Sequence, residues 1–249
     1  METTFQDIFN DLLASLIWFL LGIVLSSIYF YLIRKLPMKR LWQYKIRKPT
    51  IFLSITSLNP QKAAEYKRPT TGIGELEGVS FVRESLIAAY GNSVLIQLVF
   101  SNNFPETGLT GNIISIGGAK YNQTTQLFSK NLSLPINFVY DPKTYLIDSE
   151  TSTEYYPEID SDGIVTDFGL LIKIPNPYQK NKSVLLVRGA HTFGVAGAAR
   201  LLTPTYSSEL IQEIVQSREE YWQAVVETTV HGSQVFPKLV TFKTLTFDR

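Results

Sequence analysis

The 249-residue chain contains no cysteine. Disulfides, thiolate nucleophiles and Cys-ligated zinc or iron–sulfur centres are therefore excluded. It has only two histidines, His191 and His231, far apart and outside any H-E-x-x-H run, so no zinc or other metal site is expected. No G-x-S-x-G elbow is present to hold a nucleophilic serine, and no glycine loop is followed by a Walker lysine. Charge is also missing in blocks. Residues 1–33 have no Lys or Arg, residues 12–33 have no charge of either sign, and residues 34–48 have no acid.

The uncharged run Leu12–Ile33 would extend about 33 Å as a helix, enough for a hydrocarbon core of about 30 Å. Trp18, Tyr29 and Tyr31 are amphipathic aromatics of the kind found at membrane interfaces. A cleaved signal peptide would have a basic start and a shorter apolar run. Here the start is acidic (Glu2, Asp7, Asp11), and the bases Arg34, Lys35, Lys39, Arg40, Lys45, Arg47 and Lys48 follow the run. Bases beside a span stay in the cytoplasm. The expected organisation is a short extracytoplasmic N-terminus (1–11), a single transmembrane helix (12–33), a basic juxtamembrane segment (34–49) and a cytoplasmic α/β domain (50–249). The basic segment, with Trp42 and Tyr44 among its charges, is expected to lie on anionic lipid headgroups. Gly22, Ser26 and Ser27 offer a small-residue face for helix pairing, hence a homo-oligomer. Asn122, Asn131 and Asn181 begin glycosylation sequons, which test this orientation in a eukaryotic host. Residues 49–249 hold the remaining 16 basic and 19 acidic residues, a poor match for nucleic acid.

Beyond Pro49, strands are expected at Ile51–Ile55, Ser93–Phe100, Asn112–Ile116 and Ile136–Tyr140. Apolar periodicity predicts a helix over Glu75–Tyr90, and Tyr121–Lys130 reads as a second. Thr56–Thr71 and Asp141–Asp162 read as polar loops. Phe168–Ile174 and Ser183–Arg188 flank PNPYQKNK as an antiparallel hairpin. Helices follow over Gly189–Leu202 and from a Ser207 or Ser208 cap to about Tyr221. The closing stretches Gln223–Val230 and Lys238–Phe247 alternate like half-exposed strands. The expected fold class is α/β, a three-layer Rossmann-like sandwich with a mixed sheet, antiparallel at its C-terminal end.

Three glycine-containing turns each lead from a strand or loop into a helix: Thr70–Glu75, Gly117–Asn122 and Gly189–Gly197. Glycine lets backbone approach a ligand, and helix N-termini present free N–H groups to anions. Gly72, Gly74, Gly117, Gly118, Gly189, Thr192 and Gly194 are therefore candidate ligand contacts, or else simply tight turns. Glu75 reads as a nucleophile or general base, or as an acid favoured by the helix dipole. Asn122 reads as a ligand contact or a helix cap. His191 reads as a base, a phosphate ligand or a structural hydrogen-bonding residue. Asp167 faces a pocket or belongs to a turn, and His231 is expected in a solvated hairpin.

The segments GIGE (72–75), GGAKYN (117–122), DFGLLIKIPNPY (167–178) and GAHTFGVAGAA (189–199) together resemble a group of uncharacterised bacterial Rossmann-like domains. More distantly they are similar to nucleotide-sensor and nucleoside deoxyribosyltransferase-like domains of signalling and anti-phage systems. The resemblance spans about residues 50–247. It implies a nucleotide or nucleotide-derived ligand near Gly117, Gly118, Asn122 and the Gly189–Gly197 turn, and in the transferase-like relatives a glutamate nucleophile, for which Glu75 is the candidate. The expected function is a membrane-tethered sensor or effector binding a nucleotide or another small phosphorylated ligand. The alternatives are an enzyme cleaving an N-glycosidic bond through Glu75, and a non-catalytic module that recruits partners to the membrane.

Overall fold

The computed structural model describes residues 5–44, 48–56, 58–63 and 66–247, with backbone alone for 5–7, 58–63 and 66–69. A helix α1 (Phe5–Phe30) passes through a π-helical turn at Tyr31–Lys35 into α2 (Leu36–Trp42). Then come β1 (Thr50–Ile55), β2 (Leu58–Ala63), β3 (Tyr66–Thr70), α3 (Ile73–Tyr90), β4 (Leu95–Phe100), β5 (Asn112–Ile116) and α4 (Gln123–Ser129). The middle of the chain forms β6 (Ile136–Val139), β7 (Tyr145–Asp148), β8 (Thr153–Tyr155), β9 (Glu158–Ile159), β10 (Ile164–Pro175) and β11 (Ser183–Gly189). Helices α5 (Thr192–Leu201) and α6 (Ser208–Ser217) precede the hairpin β12 (Trp222–His231) and β13 (Gln234–Thr244).

The π turn has a local cause. Pro37, in the first turn of α2, has no N–H to give the preceding turn, and the helix widens just before it. Helical structure is otherwise continuous over Ile8–Trp42, long and apolar enough to cross a membrane, and its most apolar stretch is not buried against the rest of the chain. The carboxyl end behaves differently. Met38, Leu41 and Trp42 are buried with residues of α3 and α6, and Trp42 Nε1 donates to Ser85 Oγ at 2.9 Å. Tyr44 stacks between Trp42 and Tyr90, with ring centroids 5.8 and 6.1 Å away. Trp42 and Tyr44, expected among lipid headgroups, pack into the domain instead, because the helix ends against its apolar face.

The main sheet has eight strands in the order β13-β12-β10-β11-β5-β1-β4, with β9 added beside β10. Strands β4, β1, β5 and β11 run parallel, and β10, β12 and β13 continue antiparallel. The sheet is thus mixed, with its antiparallel part at the C-terminal end as expected. Side chains alternate across it: Ile51, Leu53 and Ile55 face a core built with α2, α3, α5 and α6. Ile113, Leu170, Ile172, Val184 and Leu186 face a second core, closed by Phe128 of α4 and by Ile136 and Leu146 of the small sheet β6-β7-β8. All five residues of β5 are buried, as a central strand covered on both faces requires.

Two expected loops contain structure. Thr56–Thr71 holds the antiparallel hairpin β2–β3, and Asp141–Asp162 holds β7, β8 and β9. These strands are short, and those of the first hairpin have no apolar alternation for a periodicity reading to register. Ser207 is the residue preceding α6, but its hydroxyl makes no capping bond; Oγ turns to Met38 Sδ at 3.5 Å. The helix stops at Ser217, short of Tyr221, where Arg218 takes a left-handed conformation with φ 59°.

Candidate functional site

Because β1, β5 and β11 are parallel, the residues at their carboxyl ends, Thr56, Gly117 and Gly189, all fall on one edge of the sheet. The three glycine turns therefore meet. Glu75, in the first turn of α3, accepts from Thr56 Oγ1 (2.5 Å), Thr71 Oγ1 (2.5 Å) and Thr56 N (3.2 Å). Its carboxylate lies against Gly117, which has φ +118°, and a Cβ there would strike both Glu75 and Thr56. Gly74 N donates to Thr192 Oγ1 at 3.0 Å, which ties the first turn to the third. Burial raises the pKa of Glu75 above the usual carboxylate value, against the pull of its hydroxyl and backbone donors.

The convergence is not an open cradle at every point. Asn122 is fully buried and caps α4: Oδ1 accepts from Thr125 N (3.0 Å) and Ser115 Oγ (3.1 Å), and Nδ2 donates to the Ile116 carbonyl (2.9 Å). Of its two readings, the cap is the one the geometry shows. It also follows that a folded chain offers no glycan acceptor at Asn122. Asp167, fully buried at the start of the long β10, reaches the N-terminus of α5 and accepts from Gly194 N at 2.5 Å. The first turn of α5 thus already holds an anion, and that of α3 carries Glu75. A Cβ on Gly194 would strike the Phe168 carbonyl and one on Gly197 would strike Thr228, so these glycines let α5 lie close on the sheet. Gly189 is closed in by the backbone of its own turn. Gly118 faces open space, and a Cβ on Gly72 would make ordinary contact with Glu75 and Thr192.

The open part of the site is next to the third turn. His191 Nδ1 lies 3.4 Å from Asp167 Oδ1, and this contact raises the histidine pKa although partial burial opposes it. The imidazole faces a cavity of about 530 Å³ also lined by Pro142, Lys143, Thr144, Tyr156, Pro157 and Ile159. Tyr156 stacks on Tyr145 at 4.4 Å and donates to Glu154 Oε2 at 2.9 Å. Arg188, three residues before His191, is only 6% exposed; it donates from Nη2 to Tyr140 Oη at 2.8 Å and lies 4.7 Å from the centre of the Phe138 ring.

The structure thus brings Gly72, Gly74, Glu75, Gly117, Gly189, His191, Thr192 and Gly194 to one edge, with Asp167 behind them. His231 is exposed in the β12–β13 turn, as expected. Among the described residues no group of three or more Asp, Glu or His side chains could hold a metal ion. Lys143, Tyr156 and Arg188 were not anticipated. The first two lie in Asp141–Asp162, whose polar composition reads as a loop. Arg188 had one signal, a base closing the apolar run SVLLV. Comparison with known proteins finds no matching family model and no curated protein of significant similarity.

Proposed function

We propose that the chain is a membrane-tethered sensor or effector whose cytoplasmic domain binds a nucleotide or another small phosphorylated ligand. The observation that carries this reading is the cavity in which His191, from the third glycine turn, meets Lys143 and Tyr156. Lysine and a histidine disposed to protonate suit a phosphate, while Tyr156, Pro142, Pro157 and Ile159 provide flat apolar walls for a base. Support for a Rossmann-like sandwich comes from the parallel run β4-β1-β5-β11, since open α/β sheets bind ligands at the carboxyl edge of such a run. Support for the tether comes from the exposed apolar helix, and the basic residues 34–48 favour a cytoplasmic domain. Ligand binding would act by changing how the anchors associate.

Thermal unfolding of the full chain in nanodiscs, screened against linear and cyclic nucleotides, tests the reading, because a ligand of the native state raises the midpoint. At least one nucleotide is expected to do so in the wild type and to lose the effect in His191→Ala. A flat response across the panel would reject it.

One observation favours a second reading, cleavage of an N-glycosidic bond. The Glu75 carboxylate is held at the same edge by two threonine hydroxyls, beside the Gly117 turn. Glu75→Gln should then abolish nucleoside hydrolysis while nucleotide binding persists. A hydrolysis rate unaffected by the substitution would eliminate this alternative.

A further inference from the structure

Arg188 is a buried base. Among the described residues no carboxylate lies within ion-pair distance of it, and its Nε, shielded from solvent, has no hydrogen-bond partner. The Phe138 face and the Tyr140 hydroxyl are its neighbours, and both are neutral. Asp167, the acid of the adjoining strand, belongs to the opposite face. Leu170 pairs with Arg188 and packs in the core closed by α4 and β6, whereas Asp167 turns towards α5, where Gly194 N and His191 occupy it. A guanidinium taken out of water without a partner is unfavourable, and structures keep one there when something else supplies the charge.

Its surroundings show where that charge would come from. His191 and Lys143 line the cavity; Arg188 precedes the first by three residues, and Tyr140 precedes the second by three. The Arg188–Tyr140 bond therefore ties together the two segments that carry these lining residues. In the ladder, Val187 pairs with Ile116, so Arg188 stands level with Gly117, next to the open Gly118.

We propose that Arg188 is a ligand-binding residue of this cavity and that it takes a phosphate group, held together with Lys143 and His191. The planar fork of arginine matches two phosphate oxygens at once, which a carbonyl or hydroxyl cannot offer. The inference rests on the ligand-binding reading above and specifies its chemistry: the tightest contacts go to the ligand's phosphate, with its remaining part along the Tyr156 wall.

The test uses the full chain in nanodiscs and sodium pyrophosphate as probe, at constant ionic strength. Wild type is expected to unfold several degrees higher with millimolar pyrophosphate. Arg188→Met should be at least as stable as wild type without the probe, since an apolar side chain of similar volume removes an uncompensated charge. Its pyrophosphate affinity should fall at least roughly tenfold. Two results overturn the assignment: an undiminished pyrophosphate shift in Arg188→Met, or a variant markedly less stable than wild type, which would make Arg188 a structural partner of Phe138 and Tyr140. In the first case the site stands and only the role of Arg188 falls. If wild type responds to neither pyrophosphate nor any nucleotide, the ligand-binding reading itself fails and takes this one with it. Arg188→Lys keeps the charge without the fork and should retain less than half the shift; a full shift there counts against the proposal.

Discussion

Lys173 Nζ donates to the carbonyl of Trp42, the last residue of the long helical rod, at 3.1 Å, and to Gln43 Oε1 at 2.6 Å. A lysine in the middle of β10 thus closes the C-terminus of the helix that carries the apolar span, where a cation complements the helix dipole. The rod is consequently continuous with the domain core rather than joined to it by a free linker.

Burial pulls the Lys173 pKa down to about 7, with Glu220 opposing the shift. The unfolded chain, in which lysine titrates near 10.5, binds more protons than the folded one between about 7 and 10.5. Stability is therefore expected to rise with pH through that window and to lose this dependence below it, where both states are protonated. Urea unfolding at several pH values, compared with Lys173→Met, measures the effect; equal pH slopes in the two proteins would contradict it.

Asp167→Asn should weaken both partners of the carboxylate. The Gly194 N–H loses an anionic acceptor at the N-terminus of α5, at a cost of about 1–3 kcal/mol. The His191 pKa should fall back towards its ordinary value, because the Asp167 contact is what raises it. In wild type this pair contributes stability fully present below the unfolded histidine pKa of about 6.5 and lost as pH rises through the higher folded value. NMR titration of His191 reads the shift directly.

Gly117 and Gly118 are neighbours with opposite expected responses. Gly117→Ala forces a side chain into a backbone with φ +118° and against Glu75 and Thr56, so a loss of more than about 1 kcal/mol is expected. Gly118→Ala meets open space and should change stability by no more than about 0.5–1 kcal/mol. Chemical denaturation of the two variants checks the contrast.

Orientation is testable because the chain has no cysteine of its own. Asn181 is exposed in the β10–β11 connection. With the domain in the cytoplasm, Asn181→Cys should resist a membrane-impermeant maleimide in intact cells and react after lysis. Labelling in intact cells would reverse the proposed topology.

Features with a local or periodic cause were readable from amino-acid order alone. An uncharged 22-residue run declares an apolar helix, and NIISI, bounded by turn residues, declares a buried strand; β5 has those bounds. The α3 periodicity and the antiparallel pairing of Phe168–Ile174 with Ser183–Arg188 were legible for the same reason. The three glycine turns were visible one by one, but their meeting depends on which strands lie side by side. That order, β11-β5-β1, is set by pairing between residues far apart in the chain, and no periodicity encodes it. The same limit hid Trp42 packing on Ser85, the capture of the α5 N-terminus by Asp167, and the isolation of Arg188. A lone arginine after an apolar run has no stated partner in the sequence. Only folding, which turned Asp167 of the adjoining strand to the other face of the sheet, left it buried with no acid within ion-pair distance among the described residues.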